Sequence, residues 1–229
     1  MQRLSVRAAK AVLGFCVLLG AALSAPCGYA ADFGIERPSD DARYAAEWIL
    51  DSGDHQGRPF AIVDKRAARI YVFDTAADGA QRLTGASPVL IGLASGDFAI
   101  PDIAQRTPAS LRPDERTTPA GRFDTEPGHN DKGEAIVWVD YEASLAIHRL
   151  RPAPAVERRT DRLASPDAAD HRISYGCVVV PVEFYETVIA ATLGKRRGVV
   201  YVLPESRSVR AMFGAFELGK AVVPQTEVR

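Results

Sequence analysis

Short apolar runs separated by polar segments dominate the chain from residue 60 onward. Residues 60–63 and 69–73 are rich in β-branched and aromatic residues and flank a short polar connection, so they predict a β-hairpin. Further strands are predicted at residues 89–93, 121–125, 135–141, 144–148 and 199–203. Because the strands are many and short and the helices few, the pattern predicts a mainly β fold, a barrel or a sandwich, with one or two short helices.

Helices and long connections complete the pattern. Residues 40–50 (DDARYAAEWIL) combine helix formers with acids in the first turn, and residues 182–193 (VEFYETVIAATL) are amphipathic. Two connections, 96–118 and 151–171, are long for a compact domain and rich in Pro, Arg and Asp. Structureless loops of this length are typical of lids, binding loops or disordered inserts. In the tail, a short helix is predicted at 208–216.

The first thirty residues have the layout of a secretory signal peptide. Basic residues precede an apolar run at 11–25, and small residues surround a cleavage site after Ala30. The run is short for a membrane-spanning helix, which needs about 20 residues, although an uncleaved anchor stays an alternative. We therefore expect a periplasmic or secreted protein without stable membrane insertion after cleavage. The predicted organisation is a signal peptide (1–30), an N-terminal helix and linker (31–57), a main domain (58–204) and a C-terminal tail (205–229).

Composition narrows the possible function classes. Among 229 residues, 28 Lys and Arg against 29 Asp and Glu give a net charge of -1, so there is no electrostatic footprint for nucleic acid. A count of 3 Cys and 4 His excludes a multi-disulfide scaffold and a zinc-finger array. Cleavage after Ala30 would leave Cys177 as the sole cysteine. In an oxidising compartment such a thiol is either buried and inert or reactive.

Cys177 lies in the most informative stretch of the chain, residues 172–181 (RISYGCVVVP). Gly176 permits a tight turn that presents the thiol and frees neighbouring amides. A thiol nucleophile needs a base, most often histidine, and His148 and His171 are the candidates. We expect a catalytic Cys177 to have a lowered pKa. Alternatively, Cys177 is a small buried apolar side chain, whereas a zinc site built with the two histidines lacks the spacing of known motifs.

The order of Arg172, Ser174, Gly176 and Cys177 resembles the R-x-S-H-G-C signature of the L,D-transpeptidases, the YkuD-like catalytic domain. Further segments resemble elements of that family in the expected order. They are the opening hairpin at residues 61–73, the T-P-x-G-x-F segment at 118–123 and the Ile147–His148 pair that carries the general base. The resemblance covers residues 58–204 as the catalytic domain, and it implies a YkuD-like β-barrel or sandwich with long active-site loops.

This resemblance implies a cysteine acyltransferase that acts on peptidoglycan stem peptides. Cys177 would attack the carbonyl of the third stem residue, typically diaminopimelate, and expel D-alanine, with His148 accepting the thiol proton. The thioester would pass to an amine of another stem and form a 3→3 crosslink in the cell wall. If water accepts the acyl group instead, the enzyme is an L,D-carboxypeptidase. No metal and no cofactor are implied.

The resemblance also assigns supporting roles around the thiol. The backbone amides of Tyr175, Gly176 and Cys177 would hold the oxyanion, and Ser174 would support the turn or the histidine. Arg172 would bind substrate or serve a structural role. All of these groups belong to one short segment, so the conformation of that segment decides what they do.

Departures from the family pattern bear on activity. Tyr175 stands at the position of a histidine, and Val179 replaces the Arg or Asn that usually follows the cysteine by two residues. Residues 151–171 lengthen the interval between His148 and Cys177. Arginines in and just before this insert are candidates for the missing carboxylate contact: Arg149, Arg151, Arg158 and Arg159. A solvated run of charges, and a non-catalytic wall-binding module with a decayed site, are the alternatives.

Overall fold

The computed structural model describes residues 31–213. The predicted signal peptide and the end of the C-terminal tail lie outside the described residues. The helices are α1 (Asp40–Ser52), α2 (Arg159–Ala164), α3 (Val182–Phe184) and α4 (Val209–Phe213). The strands are β1 (Phe60–Asp64), β2 (Arg69–Thr75), β3 (Gln81–Pro88), β4 (Ile91–Gly92), β5 (Gly121–Asp124), β6 (Glu126–His129), β7 (Ala135–Asp140), β8 (Leu145–Arg149), β9 (Arg172–Ser174), β10 (Val178–Val180) and β11 (Val199–Val202).

Two sheets face each other and enclose the main core. One has five strands in the order β3-β2-β1-β11-β5, the other has four in the order β10-β8-β7-β6, and β4 pairs with β9 in a small third sheet. Apolar side chains of both large sheets meet between them, including Val63, Val72, Val137 and Ile147. The described residues therefore form a β sandwich with short helices, and none of these sheets closes into a barrel. The prediction of a mainly β fold is confirmed.

A second apolar cluster covers the outer face of the five-stranded sheet. There α1 and α4 pack together, with Trp48 and Phe213 against the ring of Tyr201 in β11. The first turn of α1 is capped by Ser39, whose hydroxyl accepts a hydrogen bond from the Ala42 amide. Because β1 and β11 are covered on both faces, their sequences are almost unbroken apolar runs.

Two of the predicted elements have different bounds or geometry from those expected. The strand expected at 89–93 is reduced to the two residues of β4. Gly92 lies so close to the backbone of Arg116 that a β-carbon on Gly92 would collide with the Arg116 carbonyl oxygen. The helix expected at 182–193 begins as α3, continues as a π-helix at Tyr185–Ile189 and ends in turns. The other predicted strands and the helix at 40–50 are observed within a few residues of their expected bounds.

The two long connections are structured, which corrects the expectation of structureless loops. Residues 96–118 contain short 3-10 helices, and residues 151–171 contain α2 between 3-10 turns. In the second connection, Leu163 of α2 packs against buried Leu90 and against Val179 of β10. Burial of these apolar side chains stabilises the insert on the body of the domain.

A buried ion cluster joins the first hairpin to the C-terminal segment. Lys65 is 1% exposed, and its ammonium group lies 3.2 Å from Asp97 Oδ1 and 3.5 Å from Glu205 Oε2. It also donates to the Thr118 carbonyl at 2.9 Å. Burial lowers the pKa of Lys65, whereas Glu205 and Asp97 oppose that effect. Burial would raise the pKa of Asp97, but hydrogen bonds from Ser206 and the Glu205 amide hold it well below its usual range.

Removal of the Asp97 carboxylate should strongly destabilise the fold. We expect Asp97→Ala to lower the free energy of unfolding by about 3–5 kcal/mol, because Lys65 stays buried without one of its two carboxylate partners. Asp124→Ala is a matched control, since this carboxylate is 62% exposed and pairs with Arg58 and Arg122 at the surface. Its loss should cost about 1 kcal/mol or less. Urea unfolding followed by circular dichroism measures both values, and equal losses would contradict the importance of the cluster.

Candidate active site

Parallel pairing of β8 with β10 brings the candidate nucleophile and base together. Val179 of β10 is the register partner of His148 in β8, and Cys177 is the residue just before β10. Side chains alternate along a strand, and register partners point to the same face of a sheet. Cys177, Val179 and His148 therefore lie on one face, opposite to the face from which Val178 and Ile147 enter the main core.

The turn before Cys177 is held by Ser174. Its hydroxyl accepts a hydrogen bond from the Gly176 amide at 3.1 Å and donates one to the Cys177 carbonyl at 2.7 Å. Gly176 has a φ of 136°, a conformation that other residues rarely adopt, and a β-carbon there would lie 3.0 Å from the Thr117 carbonyl oxygen. The geometry of the turn thus requires the glycine and uses both hydrogen-bonding functions of the serine.

Thr118 fixes the other side of this turn. Its hydroxyl donates to the Gly176 carbonyl at 2.7 Å and accepts from the Gly92 amide at 2.8 Å. Because the Thr118 carbonyl accepts a hydrogen bond from Lys65, the turn is connected to the buried ion cluster. The sequence placed Thr118 in a family-like segment but indicated no role for it, since the role depends on contacts between distant parts of the chain.

His148 is oriented and uncharged. The residue is 7% exposed, and its Nδ1 donates to the Arg149 carbonyl at 2.8 Å, since a carbonyl can only accept. Nε2 then carries the lone pair that a general base needs. Burial, reinforced by the positive charge of Arg151, lowers the pKa of His148 to about 4. The ring is therefore a neutral imidazole at neutral pH.

Cys177 is also uncharged at neutral pH, because burial raises the pKa of its thiol. The Ala146 backbone and the charge of Arg151 act against this rise in pKa without cancelling it. Sγ donates to the Ser144 carbonyl at 3.5 Å, and within residues 31–213 no hydrogen bond joins it to His148. The direction of this shift is opposite to the lowering of the thiol pKa that is expected of an activated cysteine.

The backbone amides of the turn differ in whether a hydrogen bond already occupies them. The Gly176 amide already donates to the Ser174 hydroxyl, and its role in holding an oxyanion stays a prediction. In the part of the chain that the structure describes, no hydrogen bond occupies the amides of Tyr175 and Cys177. These two N–H groups are therefore unoccupied donors in the turn that carries the thiol.

Arg172 extends the buried ion cluster. Its guanidinium pairs with Glu205 and donates to the carbonyls of Gly92 and Ala94 at 3.3 Å. These contacts tie β9 to β4 and to the C-terminal segment, as expected for the structural role. A substrate contact by Arg172 stays a prediction that none of its observed contacts supports.

His171, the alternative base, joins the 151–171 insert to the segment before β4. Its buried ring lies between the Val89 carbonyl, 3.0 Å from Nδ1, and the Ser165 carbonyl, 3.1 Å from Nε2. Both ring nitrogens thus face backbone carbonyls, and within residues 31–213 no hydrogen bond joins the ring to Cys177. The structure favours His148 as the base of the two candidates.

A contact that the sequence did not indicate lies beside the turn. Arg116, at the end of the first long connection, stacks over the ring of Tyr175 at 4.5 Å from its centroid. Tyr175 is 36% exposed, so the pair forms part of the surface next to Cys177. The contact requires the connection to fold back on the turn, and no local sequence pattern predicts that.

The described residues offer no metal site and no membrane span. Within residues 31–213, no group of three or more His, Cys, Asp or Glu side chains is placed to hold a metal ion. No helix in that range is both long and apolar enough to cross a bilayer. The expected lack of a metal and of a cofactor stays a prediction.

Comparisons with known proteins identify similar solved structures but assign the chain to no family. No protein-family model matches the chain, and no curated protein matches its sequence. Among solved structures, the helical cell shape determining protein Pgp2 from Campylobacter jejuni is 14% identical, with 70% of this chain and 55% of Pgp2 covered and a TM-score of 0.43.

Two other solved structures are similar to a comparable degree. A fused Zn-dependent amidase/peptidase/peptidoglycan-binding domain-containing protein from Clostridium acetobutylicum is 17% identical, with 72% of this chain and 63% of that one covered and a TM-score of 0.37. Bd1075 from Bdellovibrio bacteriovorus is 15% identical, with 65% and 48% covered and a TM-score of 0.38. The chain thus spans between 48% and 63% of the length of these three proteins, and the likeness assigns it no function.

Cys177 of the folded protein should react slowly with iodoacetamide at pH 7, because burial keeps it in the thiol form. The rate should rise with pH over a higher range than in the unfolded protein, because burial raises the pKa of the thiol. Peptide-resolved mass spectrometry measures the alkylated fraction of Cys177, with urea-unfolded protein as the control. If the folded protein is labelled faster than the unfolded protein at pH 7, the fold activates the thiol before any substrate binds, which contradicts this prediction.

Proposed function

We propose that this protein is an exported cysteine L,D-transpeptidase that acts on peptidoglycan stem peptides, with Cys177 as nucleophile and His148 as base. The observation that carries the proposal is the pairing of β8 with β10, which sets the thiol and an oriented, neutral imidazole on one strand face. The turn held by Ser174, with free amides at Tyr175 and Cys177, is suited to acyl transfer. Export rests on the sequence of residues 1–30 alone.

The reaction begins with a proton transfer. The Cys177 thiol leaves the Ser144 carbonyl and passes its proton to Nε2 of His148, while the sulfur attacks the carbonyl carbon of the third stem residue. Since both side chains are uncharged beforehand, the imidazolium forms only as the C–S bond forms. Catalytic hydrogen bonds that are absent from a free enzyme commonly form in the substrate complex, so the contact of the thiol with Ser144 does not oppose this step.

The carbonyl oxygen then becomes an oxyanion beside the amides of Tyr175 and Cys177. Each such donor stabilises the transition state by about 3 kcal/mol. Collapse of the tetrahedral intermediate breaks the C–N bond, and His148 returns its proton to the amine of the departing D-alanine. A thioester on Cys177 remains. Attack by an amine of a second stem peptide, which loses a proton, restores the thiol and gives the 3→3 crosslink.

Hydrolysis of the same thioester, which would make the protein an L,D-carboxypeptidase, is the second candidate. The observation that favours it is the packing of Leu163 from the 151–171 insert on Val179, two residues from Cys177 on the same strand face. An insert at this place would hinder the approach of a second stem peptide more than that of water. Val179 packs against Leu163 and Leu90 here, and the non-catalytic wall-binding module stays an alternative.

Incubation with disaccharide-tetrapeptide muropeptides tests the chemistry. We expect residues 31–229 to release D-alanine, and the Cys177→Ala variant to release none. His148→Gln should lower the rate by about 10²–10⁴-fold because it removes the general base. His129→Gln, which changes an exposed histidine of β6, is the matched control and should leave the rate unaltered. Mass spectrometry identifies dimers as products of transfer and tripeptides alone as products of hydrolysis.

Two outcomes count against the proposal in different ways. Release of D-alanine that persists in Cys177→Ala would exclude this cysteine as the nucleophile. A tetrapeptide that stays intact with folded wild-type protein would favour the non-catalytic wall-binding module. In the second case the variants would also bind muropeptides as the wild type does.

A further inference from the structure

A basic pocket lies in the segment that follows β8. Its volume is about 480 Å³, and parts of the chain between Leu150 and Asp161 line it. Its charged lining consists of Arg151, Arg158 and Arg159 against the single carboxylate of Asp161. Each of these guanidinium groups also pairs with a carboxylate, so the pocket suits an anionic ligand through their remaining N–H donors and not through an excess of positive charge.

This pocket lies beside the candidate catalytic pair. Leu150, in the pocket wall, donates its amide to the Val180 carbonyl at 2.7 Å and so continues the pairing of β8 with β10 past His148. The charge of Arg151 acts on both the His148 ring and the Cys177 thiol. Leu163, which belongs to the same insert, packs on the strand face that carries the pair. The pocket is thus within reach of a peptide bound at the thiol.

The arginines of the pocket have terminal N–H donors that remain for a ligand. Each uses its Nε atom to face a protein carboxylate: Arg151 with Glu134 at 2.6 Å, Arg158 with Asp161 at 2.9 Å, and Arg159 with Glu157. Within residues 31–213, the terminal Nη atoms of these three side chains have no protein acceptor. A guanidinium group presents such atoms as a fork that matches the two oxygens of a carboxylate.

We propose that Arg151 and Arg159 form a subsite for the free C-terminal carboxylate of the peptide that Cys177 cleaves. The inference rests on the proposed function and names the leaving residue as the recognised part of the substrate. This carboxylate lies one residue beyond the scissile bond, and one residue spans at most about 3.6 Å, so its binding group must lie close to the thiol. Arg158, whose side chain is 72% exposed, is the pocket arginine that points most to solvent.

A bound carboxylate would also make His148 a better base. Besides burial, the charges of Arg151 and Arg159 lower the pKa of His148, whereas its bond to the Arg149 carbonyl and the charge of Glu134 raise it. A negative charge held by the two arginines offsets their effect on the ring. Recognition of the leaving residue is then coupled to activation of Cys177, so a substrate without that carboxylate both binds and reacts less well.

The test compares the free stem tetrapeptide with its C-terminal amide, which lacks the carboxylate but keeps the scissile bond. Isothermal titration calorimetry with the full chain carrying Cys177→Ala measures binding without turnover. We expect the acid to bind at least about tenfold more tightly than the amide. Arg151→Gln and Arg159→Gln should each remove most of this preference. Arg82→Gln, which breaks a surface ion pair of β3 with Asp78, is the matched control and should retain it.

Three results would overturn the subsite: equal binding of acid and amide, an acid preference that survives both glutamine substitutions, or binding of neither peptide. Arg151→Lys and Arg159→Lys, which keep the charge, should keep part of the preference and serve if a glutamine variant does not fold, as judged by circular dichroism. Release of D-alanine is measured separately. If that release does not depend on Cys177 while the acid preference depends on Arg159, the proposed function fails and the carboxylate subsite stands.

Discussion

The buried ion cluster around Lys65 is the constraint on which the geometry of the site depends. An ammonium group that is 1% exposed must be surrounded by acceptors, because an unpaired buried charge is very costly. Its partners come from distant parts of the chain: Asp97, the Thr118 carbonyl and Glu205. Thr118 in turn holds the carbonyl of Gly176. The position of the cysteine turn is therefore set by charged residues that do not touch the thiol.

Burial governs the chemistry of the site more than charge does. It favours the uncharged forms of both Cys177 and His148, so the free protein holds no thiolate–imidazolium pair. Under the proposed function, the substrate drives the proton transfer, through the oxyanion that develops at the amides of Tyr175 and Cys177 and through any charge that it brings. The thiol form also protects Cys177 from oxidation, since the thiolate is the form that oxidants attack.

Some strands and site contacts could be predicted from the sequence and others could not, for physical reasons. β1 and β11 could be predicted, because burial on both faces requires an apolar run. β3 and β6 could not, since edge strands tolerate polar residues and proline. In the site, the resemblance to the L,D-transpeptidase pattern selected Cys177 and His148 as candidates, and their roles stay a prediction. The occupied amide of Gly176 and the pairing of Arg172 with Glu205 depend on register and on distant segments, which no local pattern encodes.

Val179 connects the fold of the insert with the chemistry of the site. Where the L,D-transpeptidase pattern has a polar side chain, Val179 packs with Leu163 and Leu90. A polar side chain under α2 would be buried without a hydrogen-bond partner, at a cost of about 1–3 kcal/mol, so the valine and the insert require each other. The apolar packing of Val179 and the guanidinium groups near the site therefore come from one insert, which packs over β10 through Leu163 and carries Arg151 and Arg159.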